Sequence, residues 1–168
     1  MVAQFNVTTQ GGLEIERRLA RLAEAFGDLT PLMEGIGLHL EGSTMERFET
    51  ETAPDGKPWK PSKRALLDGG KTLSDSTQLR SSIVSEAGSD QVAVGSNKIY
   101  AGVHNDGAII RAKTAKGMVF QLPGGLGFRR VMQVELPART FLGLSREDET
   151  EIVALTEDYA RDAMGGAA

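Results

Sequence analysis

The sequence predicts an α+β fold: an antiparallel β-sheet packed by two N-terminal helices and one C-terminal helix, with a projecting β-hairpin arm. Three observations carry this. Apolar residues recur at helical spacing before residue 50 and again after residue 145. Between 83 and 136 the apolar segments are short and are separated by turn residues. Neither a strand–helix–strand alternation nor an internal repeat is present.

Residues 5–8, Phe-Asn-Val-Thr, precede Gly11 and Gly12 and suit a brief strand or an ordered arm. Ile15, Leu19, Leu22 and Phe26 then mark an amphipathic helix from Leu13 to about Gly27. Thr30 reads as an N-cap with Pro31 at the first helical position. The helix it opens runs to about Phe48, with Leu32, Ile36, Leu40, Thr44 and Phe48 on one face. Gly35, Gly37 and Gly42 weaken it by about 1 kcal/mol each relative to Ala, a cost that points to close helix packing. Residues 53–61, with three prolines and Asp55-Gly56, are loop. Two short helical turns fit 62–81. Residues 83–85 and 91–94 read as paired strands, and 100–107 as a compact turn or short helix. Residues 109–111, 117–122 and 129–136 read as strands around the flexible 123–127 segment. Ser145 and Asp148 resemble a capping box before a last helix that aligns Ile152, Leu155, Tyr159 and Ala163. Residues 165–168 are expected to be a loose tail.

The chain has 168 residues, 40% of them apolar and 25% charged. This suits one domain over 1–168, with the arm at about 108–134, and excludes a collagen-like rod or a coiled coil. Without cysteine there is neither disulfide nor thiolate chemistry, and His39 and His104 alone cannot build a multi-histidine metal centre. No enzymatic activity, cofactor or metal is therefore expected. A net charge of −4 argues against a dedicated nucleic-acid binder. The N-terminus lacks the basic and apolar regions of a signal peptide, and no window is apolar enough to span a membrane. A soluble protein without membrane association is expected.

Charge is unevenly distributed. Residues 13–51 hold nine acids against four basic residues, and 145–168 hold seven against two. Residues 107–134 carry Arg111, Lys113, Lys116, Arg129 and Arg130 and no acid. A charge run is usually a solvated hairpin. A basic, glycine-jointed arm on an acidic body is also what head-to-tail contact between identical subunits requires, with Met118, Phe120 and Phe128 supplying apolar binding. Trp59, the single tryptophan, is either a loop anchor or an interface hot spot.

Catalytic patterns are weak. His104 and Asp106 could form a base and a carboxylate for a small DNA-processing or other hydrolytic enzyme, but no second converging group is evident. The serines at 74, 76, 81 and 82 lack a Gly-x-Ser-x-Gly elbow, and 124–127 lacks phosphate-loop spacing. Glu147, Asp148 and Glu149 suit a first helical turn, where the helix dipole favours acids.

Five segments in order resemble the phage virion morphogenesis family of tail-completion, or tail-terminator, proteins. They are Phe48 followed by Ala53-Pro54-Asp55-Gly56-Lys57-Pro58-Trp59-Lys60-Pro61; Thr72-Leu73 with Leu79, Ser82 and Ile83; Val94-Gly95-Ser96; Tyr100-Ala101 with His104 and Gly107; and Pro137-Ala138-Arg139 with Phe141-Leu142-Gly143-Leu144-Ser145. The resemblance implies a structural protein of the phage head–tail junction that completes or caps the tail tube and allows head–tail joining. It implies a ring, with a hexamer expected from the sixfold tube. Implied partners are the tail tube protein and a neck stopper, adaptor or connector, with DNA crossing the lumen without sequence-specific binding. The implied location is the virion tail or neck, after assembly in the host cytoplasm. Some arm cations would then face either a neighbouring subunit or the lumen.

Overall fold

A computed structural model describes residues 27–165, together with Ile15, Arg17 and Glu24, with side chains considered to 162. The described elements are α1 (Thr30–Thr50), α2 (Lys63–Asp68), a 3-10 turn (Arg80–Ser82), β1 (Ile83–Ala87), β2 (Val92–Ser96), α3 (Ala101–Asp106), β3 (Ala108–Arg111), β4 (Met118–Gln121), β5 (Phe128–Val131), β6 (Gln133–Leu136) and α4 (Arg146–Gly165). Ile15, Arg17 and Glu24 are helical. The bounds of the expected first helix, the 5–8 strand, the Ala163 side chain and residues 166–168 lie outside the described residues. Gly165 still belongs to α4.

Helix α1 organises the core. Its N-terminal half contributes Leu32, Met33 and Ile36 to a cluster with Leu29 and Ile152 of α4. Its C-terminal half contributes Phe48 to a second cluster with Trp59, Leu79, Ile83, Ala101, Phe141 and Leu142. The apolar stripe expected from the sequence is the stripe that packs. The cap differs: Leu29 is the N-cap and Thr30 lies one place inside. The Asp28 carboxylate accepts the Thr30 N–H at 2.9 Å and the Thr30 hydroxyl at 2.6 Å. A carboxylate is the stronger acceptor for a free helix-terminal N–H, so it takes the role assigned to Thr30.

Close packing holds at one of the three α1 glycines. A Cβ on Gly37 would lie 2.7 Å from Ser85 Oγ and 3.1 Å from Val92 Cγ2, on the β1–β2 hairpin. Gly35 and Gly42 face open space. Gly37→Ala is therefore expected to destabilise the fold by about 1–3 kcal/mol through overpacking, despite the better helix propensity. Gly42→Ala is expected to stabilise it by up to about 1 kcal/mol. Urea titrations of the two variants should give shifts of opposite sign.

The expected sheet is instead three separate two-stranded antiparallel ladders, β1–β2, β3–β6 and β4–β5. The first runs from Ile83 opposite Ser96 to Ala87 opposite Val92 and packs on α1. The other two lie end to end and form the arm. Residues 112–117 of one strand stand opposite Met132 alone on the other, and Ala112 N–H donates to Met132 O at 2.8 Å. Such an inserted loop interrupts pairing and bends the ribbon, which separates β3–β6 from β4–β5. Gly107, at φ +74°, starts the arm where a Cβ would lie 2.6 Å from Ala138 N. The α3–β3 junction can therefore lie directly against the strand returning from the arm.

Candidate assembly interface

The cluster beneath the arm settles the place of several motif residues. Trp59 is 6% exposed, stacks edge-on to Phe48 and donates its indole N–H to Thr140 O at 2.9 Å. The Pro-rich loop turns this ring inward, so Trp59 is the anchor and leaves little surface for a partner. Arg139, also buried, donates from Nε to Lys60 O at 2.8 Å. Asn105 Oδ1 accepts both the Phe141 and Leu142 backbone N–H groups at 3.0 Å. These bonds lock the 137–145 turn onto α3, with Phe141 fully buried.

His104 and Asp106 are not brought together. Residues two apart on a helix do not face each other, and Asp106 Oδ1 instead accepts from Asn105 Nδ2 at 2.6 Å. His104 packs edge-on to Tyr100, and its buried Nδ1 has no hydrogen-bond partner. Burial, reinforced by the Arg139 charge, lowers the His104 pKa. The folded protein thus holds a neutral imidazole that the unfolded chain protonates more readily. This contribution to stability is present above the unfolded value of about 6.5 and is lost as pH falls through the lower folded value. Stability is expected to decline on acidification from pH 7.5 to 5.5, with a shallower decline in His104→Leu, measured by urea unfolding at each pH. No group of side chains suited to a metal ion occurs among the described residues.

The arm is the exposed feature. No residue from 102 to 138 is buried. Val119 is 55% and Phe128 76% exposed, and Ile109, Leu126 and Met132 are also open. Register sorts the expected interface residues onto two faces. Met118 opposes Val131 and Phe120 opposes Arg129 on one; Val119 opposes Arg130 and Gln121 opposes Phe128 on the other. The first is partly covered, with Met118 and Val131 half-buried, while the second is exposed throughout. Phe128 therefore does not share a surface with Met118 and Phe120. Among the described residues, Arg111, Lys113, Lys116, Arg129 and Arg130 form no ion pair, and Arg111 only bonds Gln133 across the ladder at 3.2 Å. The arm is not free along its whole length. Gly124 N–H donates to Asp68 Oδ1 of α2 at 2.7 Å, so the tip rests on its own chain.

Sequence reasoning missed a buried polar latch between α1 and α4. The side chain of Arg47 is 6% exposed and that of Asp148 1%. Arg47 bonds Asp148, donates to Phe141 O at 2.8 Å and to Gly143 O at 2.9 Å, and reaches Ser43 Oγ at 3.0 Å. His39 Nε2 lies 3.0 Å from the other Asp148 oxygen. The capping box forms as expected: Ser145 N–H donates to Asp148 Oδ2 at 2.8 Å and Asp148 N–H to Ser145 Oγ at 3.1 Å. The available signal was Arg47 itself, a charge next to Phe48 on an otherwise apolar stripe.

Over this latch lies an open groove of about 1360 Å³, walled by the outer face of α1, the 52–56 loop and the start of α4. Leu38, 71% exposed, is its most open apolar side chain, and Glu46, Asp55, Glu147, Glu149 and Glu151 line it. No helix among the described residues is long and apolar enough to cross a membrane.

A profile of the phage virion morphogenesis family matches residues 12–160. The chain is 33% identical over 147 residues to Mu-like prophage FluMu G protein 2 of Haemophilus influenzae, covering 87% of this chain and 88% of the relative. No solved structure matches it.

Proposed function

The chain belongs to the phage virion morphogenesis family, and from that membership we propose that it is a structural protein of the tail that completes or caps the tail tube for joining to the head. It works as a closed ring, a hexamer if it follows a sixfold tube. It meets the tail tube protein on one side and a stopper, adaptor or connector of the neck on the other. DNA crosses the lumen without being read. Assembly takes place in the host cytoplasm, and the protein stays in the virion. No catalytic step is part of this role.

The observation that supports this reading is the arm. It leaves Val119, Leu126 and Phe128 exposed, and its five cations have no acidic partner among the described residues. An apolar and basic ribbon of this kind is suited to another protein surface. The test is to delete the gene from the phage genome that encodes it and image the induced lysate. Filled heads and unjoined tails, restored to virions by the gene supplied in trans, are the expected result. Normal virions from the deleted genome would overturn the proposal.

A further inference from the structure

We propose that the groove between α1, the 52–56 loop and α4 receives the arm of a second copy of this chain, entering with its Val119/Phe128/Arg130 face. The inference rests on the ring reading above and adds which surfaces meet.

Charge complementarity selects the occupant. Among the described residues, Glu46, Glu147, Glu149 and Glu151 form no ion pair. Asp55 is held by Lys57 at 2.6 Å, and Arg47 is bound to Asp148. Arg146 is the one lining cation without such a partner, so the groove stays acidic. The arm brings the opposite sign and no acid between 107 and 134. Its exposed face pairs Val119 with Arg130 and Gln121 with Phe128, so apolar and basic groups arrive together. The groove offers them Leu38, Leu142, Leu144 and Leu155 beside its acids.

Dimensions agree. From Gly35 to Thr50, α1 gives the groove a wall of roughly 22 Å at 1.5 Å per residue. The four-residue strands of the distal arm span roughly 13 Å. Gly35 and Gly42 line the groove with open space where a Cβ would stand, which lets a ribbon approach the α1 backbone. The tip of the arm is held on Asp68 of its own α2, and the groove lining includes no residue of its own arm. Donor and acceptor are thus different patches of one surface, and repeating such a heterologous contact closes a ring when the rotation permits.

The absence of cysteine from the chain allows a direct test. Phe128→Cys and Leu38→Cys are prepared as separate full-length proteins, one with a mass tag, then mixed and oxidised. A mixed disulfide species is expected, and neither variant should cross-link to the unsubstituted protein. In parallel, Arg129→Glu/Arg130→Glu and Glu46→Lys/Glu151→Lys should each raise the concentration needed for assembly by at least about tenfold. Combining them in one chain should restore assembly, with circular dichroism confirming that every variant is folded. An oligomer that forms without the mixed disulfide and tolerates both reversals overturns the groove assignment, gives the groove to another protein and leaves the ring intact. Unsubstituted protein that is monomeric both alone and on tails overturns the ring reading, and this inference with it.

Discussion

Replacing residues 112–132 by Asn-Gly, which closes Arg111 to Gln133 as a two-residue hairpin, is expected to abolish assembly while leaving the body folded. The two effects separate because the arm takes no part in the core. No residue from 102 to 138 is buried, and neither hydrophobic cluster includes one of the excised residues. The lost contact with the body is the Gly124–Asp68 hydrogen bond at the surface, a kind of interaction contributing about 0.5–1.5 kcal/mol. β3 and β6 keep their ladder from Ala108 opposite Leu136 to Arg111 opposite Gln133, and Asn-Gly is the favoured two-residue closure. Urea unfolding should shift by no more than about 1 kcal/mol. Sedimentation velocity should show monomer where the parent forms rings, and complemented lysates should lack joined virions. Rings that form normally without the arm would leave it a role facing the lumen or another protein.

Asp148→Ala is expected to give the largest loss of stability of any surface-neutral truncation in the chain, about 3–5 kcal/mol. It leaves the Arg47 guanidinium buried with only carbonyl and hydroxyl partners, and it removes half of the capping box that starts α4. Against a typical total of about 5–15 kcal/mol, that is a large share. Coupling is the diagnostic feature. Arg47→Met with Asp148→Asn should cost less than the two single changes added together, because the double variant has no stranded charge. Stability additive in the two changes would show that the pair does not act as a unit. Acid should act in the same direction as the truncation. Burial raises the Asp148 pKa, but Ser43, Ser145 and the Arg47 charge outweigh it and hold the carboxyl below its ordinary value. The contribution is therefore complete above the unfolded pKa of about 3.9 and is lost as pH falls through the lower folded value. Urea midpoints between pH 5 and 2 should fall less in Asp148→Asn than in the parent.

The latch and the groove belong together. Arg47 and Asp148 fix the start of α4 against α1, and the groove is the space outside that joint. Weakening the latch should loosen the acidic wall formed by Glu147, Glu149 and Glu151 as well as the fold. Partial assembly defects in Asp148→Asn, at temperatures where the variant remains folded, would reflect this connection.

Much of the fold was legible because it depends on neighbours along the chain. Helical spacing placed α1 and the face of α4, turn residues placed the β1–β2 hairpin, and the Ser145–Asp148 spacing announced a capping box that forms as read. The arm was legible from its glycines and its lack of acids. The family was legible from five segments in order, and the profile match over 12–160 agrees with them.

Partners distant in sequence were not legible. Glu147, Asp148 and Glu149 look alike in a first helical turn, yet Asp148 alone turns inward to Arg47, 101 residues away. Gly35, Gly37 and Gly42 look alike on α1, yet Gly37 alone meets a hairpin. Trp59 could face inward or outward until the Thr140 carbonyl and the edge of Phe48 fixed it inside. Met118, Phe120 and Phe128 read as one apolar set until strand register placed Phe128 on the opposite face. The sequence by itself determined the local elements, the charge contrast between arm and body, and the family, because each follows from composition or short spacing. Only the tertiary structure decided which of several equivalent residues is buried and where the acidic groove lies, because burial and pairing depend on which surfaces the folded chain brings together.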